Sequence, residues 1–113
     1  MKCFDKITGK VIAENLQMKD SYFGRLIGLL STKSLPLNTG IVLKPCQQIH
    51  TFFMRFNIDV IFLDKDQNVL LVLEDFPPWR VSPFLRKSVY TIELASGSLK
   101  GTIKKGQQLS FSL

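Results

Sequence analysis

Apolar and polar positions alternate with a period of two over much of this chain, the pattern of strands with one buried face. Val89 to Leu94 is the clearest stretch, with Tyr90, Ile92 and Leu94 on one side and Thr91 and Glu93 on the other. Leu109, Phe111 and Leu113 repeat the alternation near the end. Ile41–Leu43 predicts a short strand that Pro45 stops, because proline has no N–H to give a ladder. From Phe52 to Leu63 the chain is rich in Phe, Ile and Val, and the polar turn Asp64-Lys65-Asp66-Gln67-Asn68 leads on to Val69–Leu73. That pair predicts the central hairpin. Lys2–Asp5 and Val11–Asn15 flank Ile7-Thr8-Gly9-Lys10 and predict an N-terminal hairpin turned at the glycine.

One segment changes period. Phe23, Leu26, Ile27 and Leu30 fall at i, i+3, i+4 and i+7 behind Ser21, an N-cap residue, and predict a short amphipathic helix ended by Ser31–Ser34 and Pro36. Pro77-Pro78 forces a loop, and Lys104-Lys105-Gly106 a turn. The expectation is a single mostly β domain over residues 1–113. It has about seven short strands and one short α-helix, arranged as a small β-sandwich or partly closed β-barrel.

Composition narrows the class. With 45% hydrophobic and 21% charged residues the chain is neither a disordered polyelectrolyte nor a membrane-buried protein. The longest apolar run, Val69 to Leu73, is far short of the ~20 residues a membrane helix needs, so no transmembrane segment is expected. Met1-Lys2-Cys3-Phe4-Asp5 lacks a signal-peptide profile, and the expected location is cytoplasmic. Cys3 and Cys46, far apart and outside any CxxC, read as free thiols. The net charge of +6 is unevenly placed: nine basic residues face eight acidic ones up to Trp79, whereas six basic residues from Arg80 onward face only Glu93. A basic C-terminal third can steer a protein towards an anionic partner, or be simply a solvated lysine-rich surface.

Four blocks carry a resemblance. They are Phe23-Gly24-Arg25-Leu26-Ile27-Gly28-Leu29, the long stretch Ile49 to Asp64, Pro78-Trp79-Arg80, and Glu93-Leu94-Ala95-Ser96-Gly97. In order and spacing they resemble family 192 of the domains of unknown function (uncharacterised protein family 0127), from about Val11 to Leu109. The resemblance implies a compact, mostly β domain and no particular activity. Two positions depart from the family pattern: Asn57 stands where proline is usual, and Gln107 where an aspartate commonly follows Gly106.

The candidate chemistry is sparse. His50 is the only histidine, so any imidazole acid–base step must run through it. Cys46, four residues earlier, could be a nucleophile or soft metal ligand, or a small buried hydrophobe. Cys46-x3-His50 resembles half a zinc site, but the second half is missing and no metal or other cofactor is expected. Asp59 interrupts an apolar strand and needs a partner if it faces inward; Arg80 is the first choice and Arg55 the second. Glu93 raises the same question. Trp79-Arg80, held on a proline-stiffened loop, suits stacking and anion contact, or else caps one end of the fold. The three phenylalanines of Phe52-Phe53-Met54-Arg55-Phe56 could form a single-strand stacking surface, but nearby acidic residues and apolar neighbours favour the core.

The leading expectation is a non-enzymatic binding or accessory module for a small molecule or protein partner. Its candidate cluster is His50, Asp59, Trp79 and Arg80, with Cys46, Arg55 and Glu93 behind them. A small hydrolase or transferase using His50 with Cys46 or Asp59 is the alternative. Nucleic-acid or acidic-partner binding through the basic C-terminal third is a third reading. Nucleic acid is the less expected, because the basic excess lacks interleaved aromatics.

Overall fold

The computed structural model describes residues 1–19 and 35–112. Within them, eight strands form two sheets. The smaller is antiparallel, with β2 (Val11–Ala13), β1 (Lys2–Asp5) and β8 (Leu109–Ser112) side by side. The larger contains β3 (Asn15–Lys19), β4 (Thr39–Leu43), β5 (Ile58–Leu63), β6 (Val69–Phe76) and β7 (Tyr90–Ala95), in the order β3-β4-β7-β5-β6. Its pairs are antiparallel except β3 with β4.

Both faces of the larger sheet are covered, which explains why β5 reads as a nearly continuous apolar run instead of alternating. All six of its residues are buried. Val42, Ile61, Leu63 and Leu94 on one face share a core with Cys3, Ile12 and Leu109 of the smaller sheet. On the other face, Ile41, Leu43, Val60 and Phe62 pack with Ile49 and Met54 from the loops. β4 and β7 run close together at Gly40, where a Cβ would overlap the Glu93 carbonyl oxygen. Only glycine fits there.

Turn chemistry sets the hairpins. Asp5 Oδ1 accepts the Ile7 and Thr8 N–H groups at 2.8 and 2.9 Å, and Gly9 takes a φ of 76°. Asp64 Oδ1 accepts the Asp66 and Asn68 N–H groups, both at 2.9 Å, and turns β5 into β6. Gln107, at the position where the resemblance leads one to expect aspartate, donates its amide to Asp5 Oδ2 at 2.8 Å. A carboxylate there would face another carboxylate.

The mostly β expectation holds, with eight strands where about seven were expected. The sheets meet at two corners but, among the described residues, close no barrel. Leu16 N–H donates to Met1 O at one, and Val69 N–H donates to Gln107 O beside the Asn68–Gln108 bridge at the other. Val11–Asn15 is not one strand: it breaks at Glu14, and its halves belong to different sheets. Phe52–Asn57 is not strand either. Met54 N–H turns back onto Thr51 O at 3.2 Å, and Phe53 sits at a φ of 68°. The helix expected over Ser21–Leu30 lies outside the described residues. Among those described, no helix is long and apolar enough to cross a membrane.

Candidate functional site

Two loop segments, 46–51 and 79–89, run side by side as an irregular antiparallel ribbon. It is held by main-chain bonds and by neutral side chains. Thr51 N–H donates to Arg80 O at 2.9 Å, Trp79 N–H to Thr51 O at 3.0 Å, Ser82 N–H to Ile49 O at 2.9 Å and Leu85 N–H to Gln47 O at 2.9 Å. The fully buried Thr51 hydroxyl donates to Pro77 O at 2.7 Å and accepts the Arg80 N–H at 3.0 Å. Ser82 Oγ accepts the Ile49 N–H at 2.9 Å, while Gln47 and Gln48 donate to Arg86 O and Ser82 O. A ribbon this densely bonded is a preformed platform.

His50, Trp79 and Arg80 all stand on it. His50 bridges Val81 through the backbone and stacks on Phe52, centroids 4.7 Å apart, with its Nδ1 accepting the Phe52 N–H at 3.4 Å. Phe52 lies 5.9 Å from Trp79, and Phe53 lies 4.7 Å from Trp79 at 60°. Four large apolar side chains on or beside the ribbon face solvent: Phe53 at 65%, Phe84 at 60%, Trp79 at 56% and Val81 at 53%. Phe53 and Trp79 adopt φ values of 68° and 63°, a left-handed backbone that bulky residues rarely take. Local strain held in this way by surrounding bonds gathers at functional sites. Arg55, Arg80, Arg86 and Lys87 are exposed on or next to the same segments, and none is paired with a carboxylate among the described residues.

Asp59 stands elsewhere. It is fully buried on the β5 face opposite Val60 and Phe62, and its partners are main-chain groups. Asp75 N–H donates to Oδ1 at 2.9 Å and Leu99 N–H to Oδ2 at 3.0 Å. The expected arginine is not among them. Two peptide dipoles aimed at one carboxylate can carry a buried charge without a counter-ion. The same logic recurs nearby. Glu74 accepts the Gly101 N–H at 3.0 Å, and Asp75 Oδ1 accepts Ser96 Oγ–H at 2.6 Å and the Asn57 amide at 2.8 Å. Those bonds from Ser96 and Asn57 hold the Asp75 carboxyl below its ordinary value of 3.8. These three carboxylates fasten the 96–101 loop to β5 and β6.

Glu93 is fully buried on β7, opposite Ile41 and Val60, on the other face of the sheet from Asp59. Cys46 is half-buried, and its thiol donates to Gln48 O at 3.4 Å. Cys3 is buried outright, and loss of solvation pushes its thiol up to about 12, against thiolate chemistry. No three His, Cys, Asp or Glu side chains among the described residues gather as metal ligands would. A cleft of about 210 Å³ opens between Lys10–Ile12, Leu37–Asn38 and Gly97–Thr102, and none of the expected site residues lines it.

The sequence reading passes over Thr51, Val81 and Phe84, includes Arg86 and Lys87 only within the basic C-terminal third, and assigns Phe53 to the core. A signal was present for Phe53: Thr51 to Phe56 follows neither a two-residue nor a 3.6-residue period, so its phenylalanines had no regular face to share. The core assignment of that run is corrected at Phe53, while Phe52 and Phe56 are half-buried.

Known proteins resemble this chain along most of its length. The model of family DUF192, described as "Uncharacterized ACR", matches residues 4–111. A UPF0127 protein of Pyrococcus furiosus is 32% identical, over 92% of each chain. A UPF0127 protein of Pyrococcus horikoshii is 38% identical over 79% of this chain and 78% of its own. Among solved structures, a protein of unknown function from Novosphingobium aromaticivorans superposes with a TM-score of 0.81 at 15% identity. That superposition covers 98% of this chain and 84% of the other. At that identity the likeness speaks for the fold alone.

Proposed function

The chain belongs to the DUF192 family, and we propose that it works as a non-enzymatic binding module whose contact surface is the ribbon of 46–51 and 79–89. One observation carries the reading: four large apolar side chains stand more than half exposed on or beside one preformed platform, on segments whose exposed cations are paired with no carboxylate among the described residues. Exposed apolar groups gathered in this way, with a charged rim, mark interaction surfaces. The roles of His50, Trp79 and Arg80 follow from that placement: the rings give apolar area, and the guanidinium reads negative charge. Asp59 and Glu93 are interior residues in this reading and act on the fold.

Trp79 is the only tryptophan, so its emission reports directly on the proposed surface. A panel of small anions, sugars, oligonucleotides, acidic peptides and lipid vesicles is titrated while Trp79 emission and backbone amide shifts are followed. The expected response gathers in residues 50–55 and 77–87 and disappears in Arg80→Ala, whose folding is unchanged. Responses centred on the Gly97 cleft, or indifferent to Arg80→Ala and Trp79→Ala, would overturn the proposal.

A further inference from the structure

We infer that this surface docks on an anionic lipid membrane, the rings of Phe53, Trp79 and Phe84 entering the interface and the surrounding cations holding lipid phosphates. The inference rests on the binding-surface reading above and names its partner.

Charge is the first argument. From Lys44 to Ile58 and from Pro77 to Ile92 there is no acidic residue; Lys44 lies over the Tyr90 ring, 5.1 Å from its centroid, and Arg55, Arg80, Arg86 and Lys87 stand exposed in those stretches. Glu74 and Asp75, just before the second stretch, are exposed carboxylates at its edge, bonded to Gly101 and to Ser96 and Asn57 respectively. Four exposed cations on and beside the ribbon against two carboxylates at its edge leave this surface net positive. Anionic headgroups complement it, and each basic residue near such a surface adds to the attraction.

The chemistry of the apolar tips is the second. Phe53, Val81 and Phe84 have no polar atom on their side chains, and Trp79 pairs a large ring with one N–H. Aromatic rings of this kind settle at the headgroup level of a bilayer, and long basic side chains reach from there to the phosphates. A single-stranded nucleic acid would need open ring faces for its bases. Here the rings are used on one another, Trp79 packing on Phe53 at 60° and on Phe52 at 31°. Val81 offers no face at all. Rigidity is the third argument. The left-handed residues Phe53 and Trp79 hold their rings outward on a bonded ribbon, so insertion requires little further ordering.

The experiment uses the full chain with two vesicle types, phosphatidylcholine alone and phosphatidylcholine mixed with phosphatidylglycerol. The expected result is co-sedimentation with the mixed vesicles only, a blue shift of Trp79 emission, and quenching by lipids brominated near the headgroup end of the acyl chain. Arg80→Ala and Arg86→Ala should each weaken binding about fivefold. Phe53→Ser combined with Phe84→Ser should abolish the quenching while circular dichroism stays unchanged. Absence of binding at low salt, or binding that ignores the Phe53/Phe84 pair, overturns the membrane inference. The same titration with a poly-glutamate peptide and a single-stranded oligonucleotide separates the two claims. A Trp79 response to either, with silence towards vesicles, keeps the binding surface and rejects the membrane. Silence towards all three, vesicles included, rejects both.

Discussion

Two loop systems of this domain solve the same problem with opposite chemistry. The 96–101 loop is fastened by carboxylates: Asp59 from the interior, and Glu74 and Asp75 from the surface, accept N–H and O–H groups. The ribbon of 46–51 and 79–89 is fastened by peptide groups, hydroxyls and amides, and its charged groups are left at the surface. Both are irregular in backbone and firmly held. The difference lies in what remains available. A loop whose carboxylate oxygens are occupied by its own framework has fewer acceptors left for a partner, whereas neutral fastening leaves arginines and rings for one.

Removing Asp59 should break this contrast most severely. Asp59→Ala strands two N–H groups beside a fully buried position, so unfolding titrations should record a loss of about 3–5 kcal/mol. The ribbon side chains should play no part in that loss. A change below about 1 kcal/mol would mean that the carboxylate is not what holds the loop.

Thr51→Val probes the ribbon in the same way with a smaller effect. It leaves the Arg80 N–H without its acceptor and should cost about 1–3 kcal/mol in the same titration. Because Trp79 hangs from Thr51 O, the substitution should also alter tryptophan emission, whereas Asp59→Ala should act on emission only through global unfolding.

Acid sharpens the contrast most gently. The Thr8 N–H, the Gln107 amide and the Ile7 N–H hold the Asp5 carboxyl below its ordinary value of 3.8, as Ser96 and Asn57 do for Asp75. At Asp64, burial pushes the carboxyl up, but the bonds from Asn68 and Asp66 outweigh it and leave the value lowered. A carboxyl lowered in the folded state contributes stability that is fully present above its unfolded value of 3.8 and is lost as pH falls through the folded value. Stability should therefore be level from neutrality down to about pH 5 and decline below about pH 4. Asp75→Asn should flatten part of that decline, and Arg80→Ala none of it.

Much of the framework was legible along the chain. The alternation of Val89–Leu94, the polar turn at Asp64–Asn68 and the glycine turn at Gly9 each depend on neighbours a few residues away, and all three appear as read. The family was legible for the same reason, since the order and spacing of its blocks are properties of the chain itself. Placement across the sheets was not. Whether Thr91 and Glu93 face solvent or interior depends on what covers the second face of β7, and both are buried. The partner of Asp59 could not be named from composition, because a carboxylate inside a strand calls for positive charge or aligned N–H groups, and only the chain's path brings the Asp75 and Leu99 peptides to it. Phe53 shows the limit most plainly. Its hydrophobicity is local and pointed to the core, but the backbone turn between Thr51 and Met54 directs it to solvent. Local pattern determined most strands and turns, because those depend on short-range geometry, but not the break at Glu14 or the turn at Thr51–Met54. Tertiary packing decided which side chains face a partner, because burial is set by whatever distant segment arrives to cover them.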